Sequence, residues 1–106
     1  MKALKQLPPS VIIQQTLGGV FMFGIGIERV MLTELAAETF SDANIHIALF
    51  RHSNLDWGDV SEEDKKANDA ALKDGSRVIS FYGDMAVFTD FNECNVTTIC
   101  LVSEIE

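Results

Sequence analysis

The residues best suited to chemistry are five carboxylates that fall within residues 54–64 (NLDWGDVSEED). Such a cluster could bind a cation, supply an acid and a base to one catalytic site, or attract a basic partner. The spacing is not that of a calcium loop, and no nucleophile or cofactor loop accompanies the acids, so we predict neither a metal site nor an enzyme. The predicted partner-binding residues are Asp56, Trp57, Asp59, Glu62, Glu63, Asp64 and Asp69.

The same segment also has a structural interpretation. Asp56 and Asp59 are suited to capping local backbone turns, Gly58 permits a sharp bend, and Trp57 can anchor the loop to the core. His52, four residues before Asp56, is predicted to donate a hydrogen bond to Asp56 and so hold the loop down. The residues alone leave both interpretations open.

The histidines, cysteines and serines do not form a recognisable site. His46 and His52 are six residues apart, not the three or four that bring two side chains together on one helix face. Cys94 and Cys100 fit no zinc spacing, so we predict reduced thiols, with a disulfide as the alternative. The serines lack the G-x-S-x-G elbow of a hydrolase. We therefore expect no cofactor.

Composition is typical of one globular domain. The chain has 106 residues, 47% of them hydrophobic, with a formal net charge of −8. Its longest apolar run, residues 17–27, is shorter than the roughly 20 residues of a membrane span, and Pro8 and Pro9 interrupt any signal peptide. We predict a cytoplasmic protein. It should bind neither nucleic acid nor membranes, because both are negatively charged and repel a negatively charged chain.

The net charge lies entirely in the second half of the sequence. Residues 1–52 contain four acidic and four basic residues, whereas residues 53–106 contain twelve acidic and four basic ones. The second half therefore carries all of the −8. A charge concentrated in this way either keeps a small protein in solution or complements a basic partner.

Residue patterns predict the elements that must position the acidic segment. Residues 1–10 indicate an extended arm, and residues 11–16 and 19–27 favour strands joined at Gly18 and Gly19. Helices are predicted at residues 28–40, at residues 43–51, where a strand is the alternative, and from a capping Ser61 to Gly75. Three strands follow at residues 77–82, 85–90 and 96–102.

These elements predict a single α+β domain at residues 11–106. We expect an antiparallel sheet that combines a C-terminal three-stranded meander with one or two N-terminal strands. About three helices should cover one face of this sheet. An exposed sheet edge, such as residues 96–102, would offer a surface for a homodimer.

Residues 48–103, about half of the chain, contain a specific pattern: Arg51-His52, Asp56-Trp57-Gly58-Asp59, Glu63-Asp64, Asn68, Leu72, Gly75, Arg77, Ser80, Tyr82 and Val96-Thr97-Thr98. This pattern resembles a family of small bacterial proteins carried on plasmids and other mobile elements. The chain departs from the family pattern at residues 85–88, where the family has a tryptophan, and in the next turn, which is one residue longer and lacks an arginine. The resemblance implies a mobile-element accessory protein.

By analogy with other small acidic proteins of plasmids and phages, we expect an inhibitor that occupies a host surface. Its partner would be a defence complex of the CRISPR or restriction kind, bound through a basic surface that normally handles nucleic acid. The alternative is an accessory module, homodimeric in one version, whose acidic face serves solubility only.

Overall fold

The computed structural model describes residues 10–11, 25–27, 29–92 and 95–105. Strands β1 (Ser10–Val11) and β2 (Arg29–Thr33) precede helices α1 (Glu34–Thr39), α2 (Asp42–Ser53) and α3 (Glu62–Asp74). Strands β3 (Arg77–Tyr82), β4 (Met85–Asp90) and β5 (Val96–Leu101) follow, and a short 3-10 helix spans Val102–Glu104. The α+β prediction is confirmed. The predicted arm up to residue 9, most of the two predicted N-terminal strands and Cys94 lie outside the described residues.

The sheet has the strand order β1-β2-β5-β4-β3. Strands β3, β4 and β5 form the predicted antiparallel meander. Strand β2, however, pairs in parallel with β5, from Arg29 opposite Val96 to Leu32 opposite Ile99. The prediction of a wholly antiparallel sheet is therefore wrong, and the sheet is mixed. Residues 34–95 supply the long crossover that a parallel pair requires.

Strand β5 occupies the centre of the sheet. It is hydrogen-bonded to β2 on one side and to β4 on the other. The prediction that residues 96–102 offer an exposed edge for a homodimer is therefore wrong. The two outer strands of the described sheet are β1 and β3.

The helix predicted at residues 28–40 is shorter than expected, because residues 29–33 form β2 and only residues 34–39 are helical. In β2 the buried side chains Val30 and Leu32 alternate with the more exposed Arg29 and Met31. Pairing with β5 satisfies this pattern and overrides a helix propensity worth only tenths of a kcal/mol per residue. Thr33 ends the strand and caps α1, since its Oγ1 accepts a hydrogen bond from the Ala36 amide at 3.1 Å.

Helices α2 and α3 are confirmed, and residues 43–51 are helical as predicted, not the strand that was the alternative. Ser41 caps α2 and Ser61 caps α3, each accepting a backbone N–H three residues on. Gly75 ends α3 with φ at 76°, a left-handed conformation that glycine adopts without a Cβ penalty. None of the helices in the described ranges is long and apolar enough to cross a membrane.

All three helices pack on one face of the sheet. Ala36 of α1 and Ala48 of α2 join a buried cluster with Val87 and Ile99, and Ala71 of α3 packs with Val78. The opposite face is also apolar and buried, and includes the thiol of Cys100. Burial is the main cause that raises the pKa of Cys100 to about 12. The thiol is thus largely protonated and weakly nucleophilic at neutral pH.

Candidate functional site

The DWGD segment, residues 56–59, lies along the outer edge of β3. The Phe81 amide donates to the Trp57 carbonyl at 2.9 Å, and the Asp59 amide donates to the Phe81 carbonyl at 2.7 Å. These bonds form a parallel β-bridge between Gly58 and Phe81. The segment therefore satisfies backbone groups that an outer strand would otherwise leave open to a further strand.

Gly58 makes this close approach to the sheet edge possible. Its φ is 72°, and a Cβ built on it would lie 2.1 Å from the Phe81 carbonyl oxygen and 2.7 Å from Cδ1 of Tyr82. A side chain at position 58 would meet backbone rather than a flexible side-chain end. Only glycine fits without moving the loop away from β3.

Asp56 fixes the start of the segment through both its carboxylate and its carbonyl. Arg51 donates to the carboxylate from Nε at 2.8 Å and from Nη2 at 3.3 Å, and the Gly58 amide donates to it at 3.3 Å. The Tyr82 hydroxyl donates to the Asp56 carbonyl at 2.6 Å. The Arg51 hydrogen bond is the main cause that lowers the pKa of Asp56. Asp56 is therefore ionised at neutral pH and partly neutralised by its partner.

His52 does not bond to Asp56, so that part of the prediction is wrong. Its ring is completely buried, with Nδ1 2.6 Å from Ser80 Oγ and Nε2 2.9 Å from Thr89 Oγ1. Thr89 Oγ1 lies in turn 2.7 Å from Thr97 Oγ1. The ring also meets Trp57 edge-on, with centroids 5.8 Å apart. His52 thus links α2 to three strands and supports the loop from beneath through Trp57.

The Ser80–His52 pair has the composition of a nucleophile and its base, but its environment favours a structural role. Both side chains are completely buried, as are Thr89 and Thr97. Burial lowers the pKa of His52 to about 3, so the ring is neutral at physiological pH and a poor proton acceptor. Among the residues that the structure describes, the ring's hydrogen-bond partners are two hydroxyl groups and no carboxylate. This network is best described as a satisfied buried polar core.

Asn68 covers another part of the β3 edge. From the buried side of α3, its Nδ2 donates to the Ile79 carbonyl at 2.7 Å, and its Oδ1 accepts from the Ile79 amide at 3.0 Å. The side-chain amide thus reproduces the pair of hydrogen bonds that a neighbouring strand would make. Together, Asn68 and the DWGD segment cover β3 at Ile79 and Phe81.

Removing this amide is expected to destabilise the fold. Asn68→Ala leaves the Ile79 amide and carbonyl unpaired at a buried position, and we expect the free energy of unfolding to fall by about 2–4 kcal/mol. Urea denaturation measures this loss, and size-exclusion chromatography reports any association through the opened edge. The control is Asp69→Ala, at an exposed position on the same helix. Equal losses in the two variants would contradict the assigned role of Asn68.

The structure brings most of the predicted partner-binding acids to one edge of the molecule. Asp56, Asp59, Glu62 and Glu63 are exposed on the loop and on the first turn of α3. Asp64 is half-buried, and Asp69 is exposed further along α3. Trp57 is only 5% exposed, so its indole packs in the core and we remove it from the predicted contacts.

Sequence reasoning missed one member of this group. Asp59 Oδ2 accepts from the Gly83 amide at 3.3 Å, which places the β3–β4 turn and its exposed Asp84 beside the loop. Asp84 lies 25 residues from Asp59, and only the predicted β3–β4 hairpin turn could have suggested it. We call the exposed carboxylates of Asp56, Asp59, Glu62, Glu63 and Asp84 the acidic surface.

The acidic surface is not arranged as a metal site. Within the described ranges, no group of three or more His, Cys, Asp or Glu residues is placed to hold a metal ion.

Comparison of the chain with protein-family models, with curated proteins and with solved structures finds no match. The charge and exposure of the acidic surface, and the hydrogen bonds that support its loop, are therefore the features that bear on function.

Proposed function

We propose that this chain is a cytoplasmic interaction protein, not an enzyme, whose acidic surface binds a basic surface of a nucleic-acid-handling complex. The observation that carries the proposal is the placement of five exposed carboxylates at one edge of the domain, two of them on a loop that is hydrogen-bonded to β3. Its target class, host defence complexes of the CRISPR or restriction kind, is proposed by analogy with other small acidic proteins of plasmids and phages.

Rigidity supports a binding role, because ordering a loop on association costs free energy. Here the loop is already ordered by two backbone hydrogen bonds to Phe81, by the Arg51–Asp56 ion pair and by the buried Trp57 ring. Asp59 is fixed further by the Gly83 amide. The backbone of the loop that carries Asp56 and Asp59 is therefore already ordered before a partner binds.

Charge supports a basic partner. The chain carries −8 overall, so it repels phosphate backbones and attracts surfaces rich in lysine and arginine. Surfaces that bind nucleic acid have this composition, and exposed carboxylates can compete for the same side chains. Binding of this type should weaken as salt increases, because exposed charges are screened beyond about 8–10 Å at physiological ionic strength.

A matched pair of charge-reversed variants tests the proposal. Glu62→Lys, Glu63→Lys and Asp84→Lys alter the acidic surface, whereas the control Glu34→Lys, Glu38→Lys and Asp42→Lys makes the same charge change on α1 and α2. Each tagged protein is used to capture complexes from bacterial lysates that contain CRISPR and restriction assemblies, with mass spectrometry as the readout. We expect the native protein and the control to retain one nucleic-acid-handling complex, and the acidic-surface variant to lose it by at least tenfold.

Two outcomes would contradict the proposal. One is equal retention by both variants, because the acidic surface would then make no contact. The other is capture that does not change between low and high salt, because an interface dominated by exposed carboxylates must be screened. Circular dichroism of both variants confirms that each remains folded before the comparison is made.

A further inference from the structure

A groove lined by both apolar and polar side chains borders the acidic surface. It has a volume of about 220 Å³ and lies between α2 and the β3–β4 hairpin. Four apolar side chains and three polar ones line it, and Ile47 is 58% exposed at its rim. The lining residues are Phe40, Asn44, Ile47, Ala48, Arg51, Tyr82 and Met85.

The groove and the acidic surface share a border. Arg51 lines the groove and is also the ion-pair partner of Asp56. Tyr82 lines the groove too, lies 4.5 Å beneath the Arg51 guanidinium, and donates its hydroxyl to the Asp56 carbonyl. Two residues beyond Tyr82 is Asp84. A ligand that binds over the acidic surface can therefore contact the groove at the same time.

The size of the groove favours a side chain as its occupant. Pockets for small molecules typically enclose about 300–1,000 Å³ and bury most of the ligand, and this groove is both smaller and open to solvent. One large apolar side chain is a better match. Buried anchors of this kind, surrounded by polar contacts, often dominate protein–protein affinity.

We infer that the groove receives one large apolar side chain from the same basic segment that covers the acidic surface. The inference rests on the proposed function and specifies its partner: a protein segment in which lysine or arginine residues flank a single phenylalanine or leucine. The carboxylates select the flanking charges, and the groove selects the residue between them. Charge alone would accept any basic surface, whereas the apolar contact makes binding selective.

Two synthetic peptides test the inference. Both are nine residues long and consist of lysine except at the centre, which is phenylalanine in one and serine in the other. Nuclear magnetic resonance titration of the whole chain follows the backbone amides. We expect both peptides to shift Asp59, Glu62 and Asp84, and only the phenylalanine peptide to shift Ile47 and Ala48 and to bind about tenfold tighter.

Variants of two exposed apolar residues locate the contact. Ile47→Ser changes the groove, and the control Leu35→Ser changes a side chain that is 44% exposed on α1 and does not line the groove. We expect Ile47→Ser to reduce the affinity of the phenylalanine peptide to that of the serine peptide. Leu35→Ser should leave the tenfold difference intact.

The outcomes separate this inference from the proposed function. Equal affinity of the two peptides, with shifts on the acidic surface only, would overturn the groove assignment and leave the proposed function standing. A lack of shifts on the acidic surface with either peptide would count against the proposed function itself. Self-association of the chain that Ile47→Ser abolishes would show instead that a second copy occupies the groove.

Discussion

Gly58→Ala is expected to lower the free energy of unfolding by about 3 kcal/mol or more. The added Cβ would lie 2.1 Å from the Phe81 carbonyl oxygen, so the loop must move away from β3 and lose its backbone bridge. Strain from a positive φ in a residue with a side chain adds about 1 kcal/mol. Urea denaturation measures the loss. Trp57 is the only tryptophan and lies beside the mutation, so its emission reports whether the loop detaches.

Two other glycines provide the control for this prediction. Gly75 and Gly83 also have positive φ, but a Cβ at either position meets no atom of the described residues within 4 Å. Gly75→Ala and Gly83→Ala should therefore cost only the conformational strain, about 1 kcal/mol each. If Gly58→Ala costs no more than these two variants, the close approach of the loop to β3 does not contribute to stability.

Acid is expected to destabilise the protein through His52 before most carboxylates titrate. An unfolded histidine takes up a proton near pH 6.5, whereas burial lowers the pKa of folded His52 to about 3. Between these values the unfolded state binds one more proton, so stability falls as pH falls. The contribution of neutral His52 is complete above pH 6.5, and about 2 kcal/mol of it should be lost between pH 7.5 and pH 5.

The chain has two histidines, which makes this prediction direct to measure. His46→Gln removes the exposed one and leaves His52 as the only imidazole. In that variant, the ring resonances of the folded protein should stay unchanged from pH 7.5 to pH 4, while urea denaturation shows the loss of stability. A ring that titrates near pH 6 in the folded protein would show that the Ser80–His52–Thr89 network is open to water.

The elements that could be predicted from sequence are those with local signals. Ser61 marks the start of α3 by its hydroxyl group, Gly75 marks the end by its lack of a Cβ, and the Gly83 turn marks the β3–β4 hairpin. Residues 29–33 carry no such local signal. Their composition favours a helix, but they form a strand because they pair with β5, more than sixty residues later in the chain. Parallel pairing depends on distant partners, and hydrophobic periodicity does not reveal it.

The candidate site divides in the same way. The acids of residues 54–64 were evident as a group, and the predicted structural roles of Gly58 and Trp57 are confirmed by the bridge to Phe81 and by burial. The bond from Asn68 to Ile79 and the position of Asp84 beside Asp59 depend on the packing of α3 and the hairpin. Such contacts join residues that no local pattern relates.

The residues that carry the family resemblance are largely those that hold the loop and the sheet together. Arg51 and Tyr82 hold Asp56, and Asn68 covers Ile79. His52, Ser80 and Thr97 belong to the buried network. These residues therefore hold the scaffold together, and the charge-reversed variants of this chain test the acidic surface.

The central place of β5 has a consequence for synthesis on the ribosome. The strand that joins β2 to the β3–β4 hairpin is translated after all four of the others. Until it is made, β2 and β4 each lack a neighbour, and the apolar faces of α1 and α2 have no complete sheet to cover. Nascent chains thus carry open strand edges through most of translation, the condition under which aggregation competes with folding.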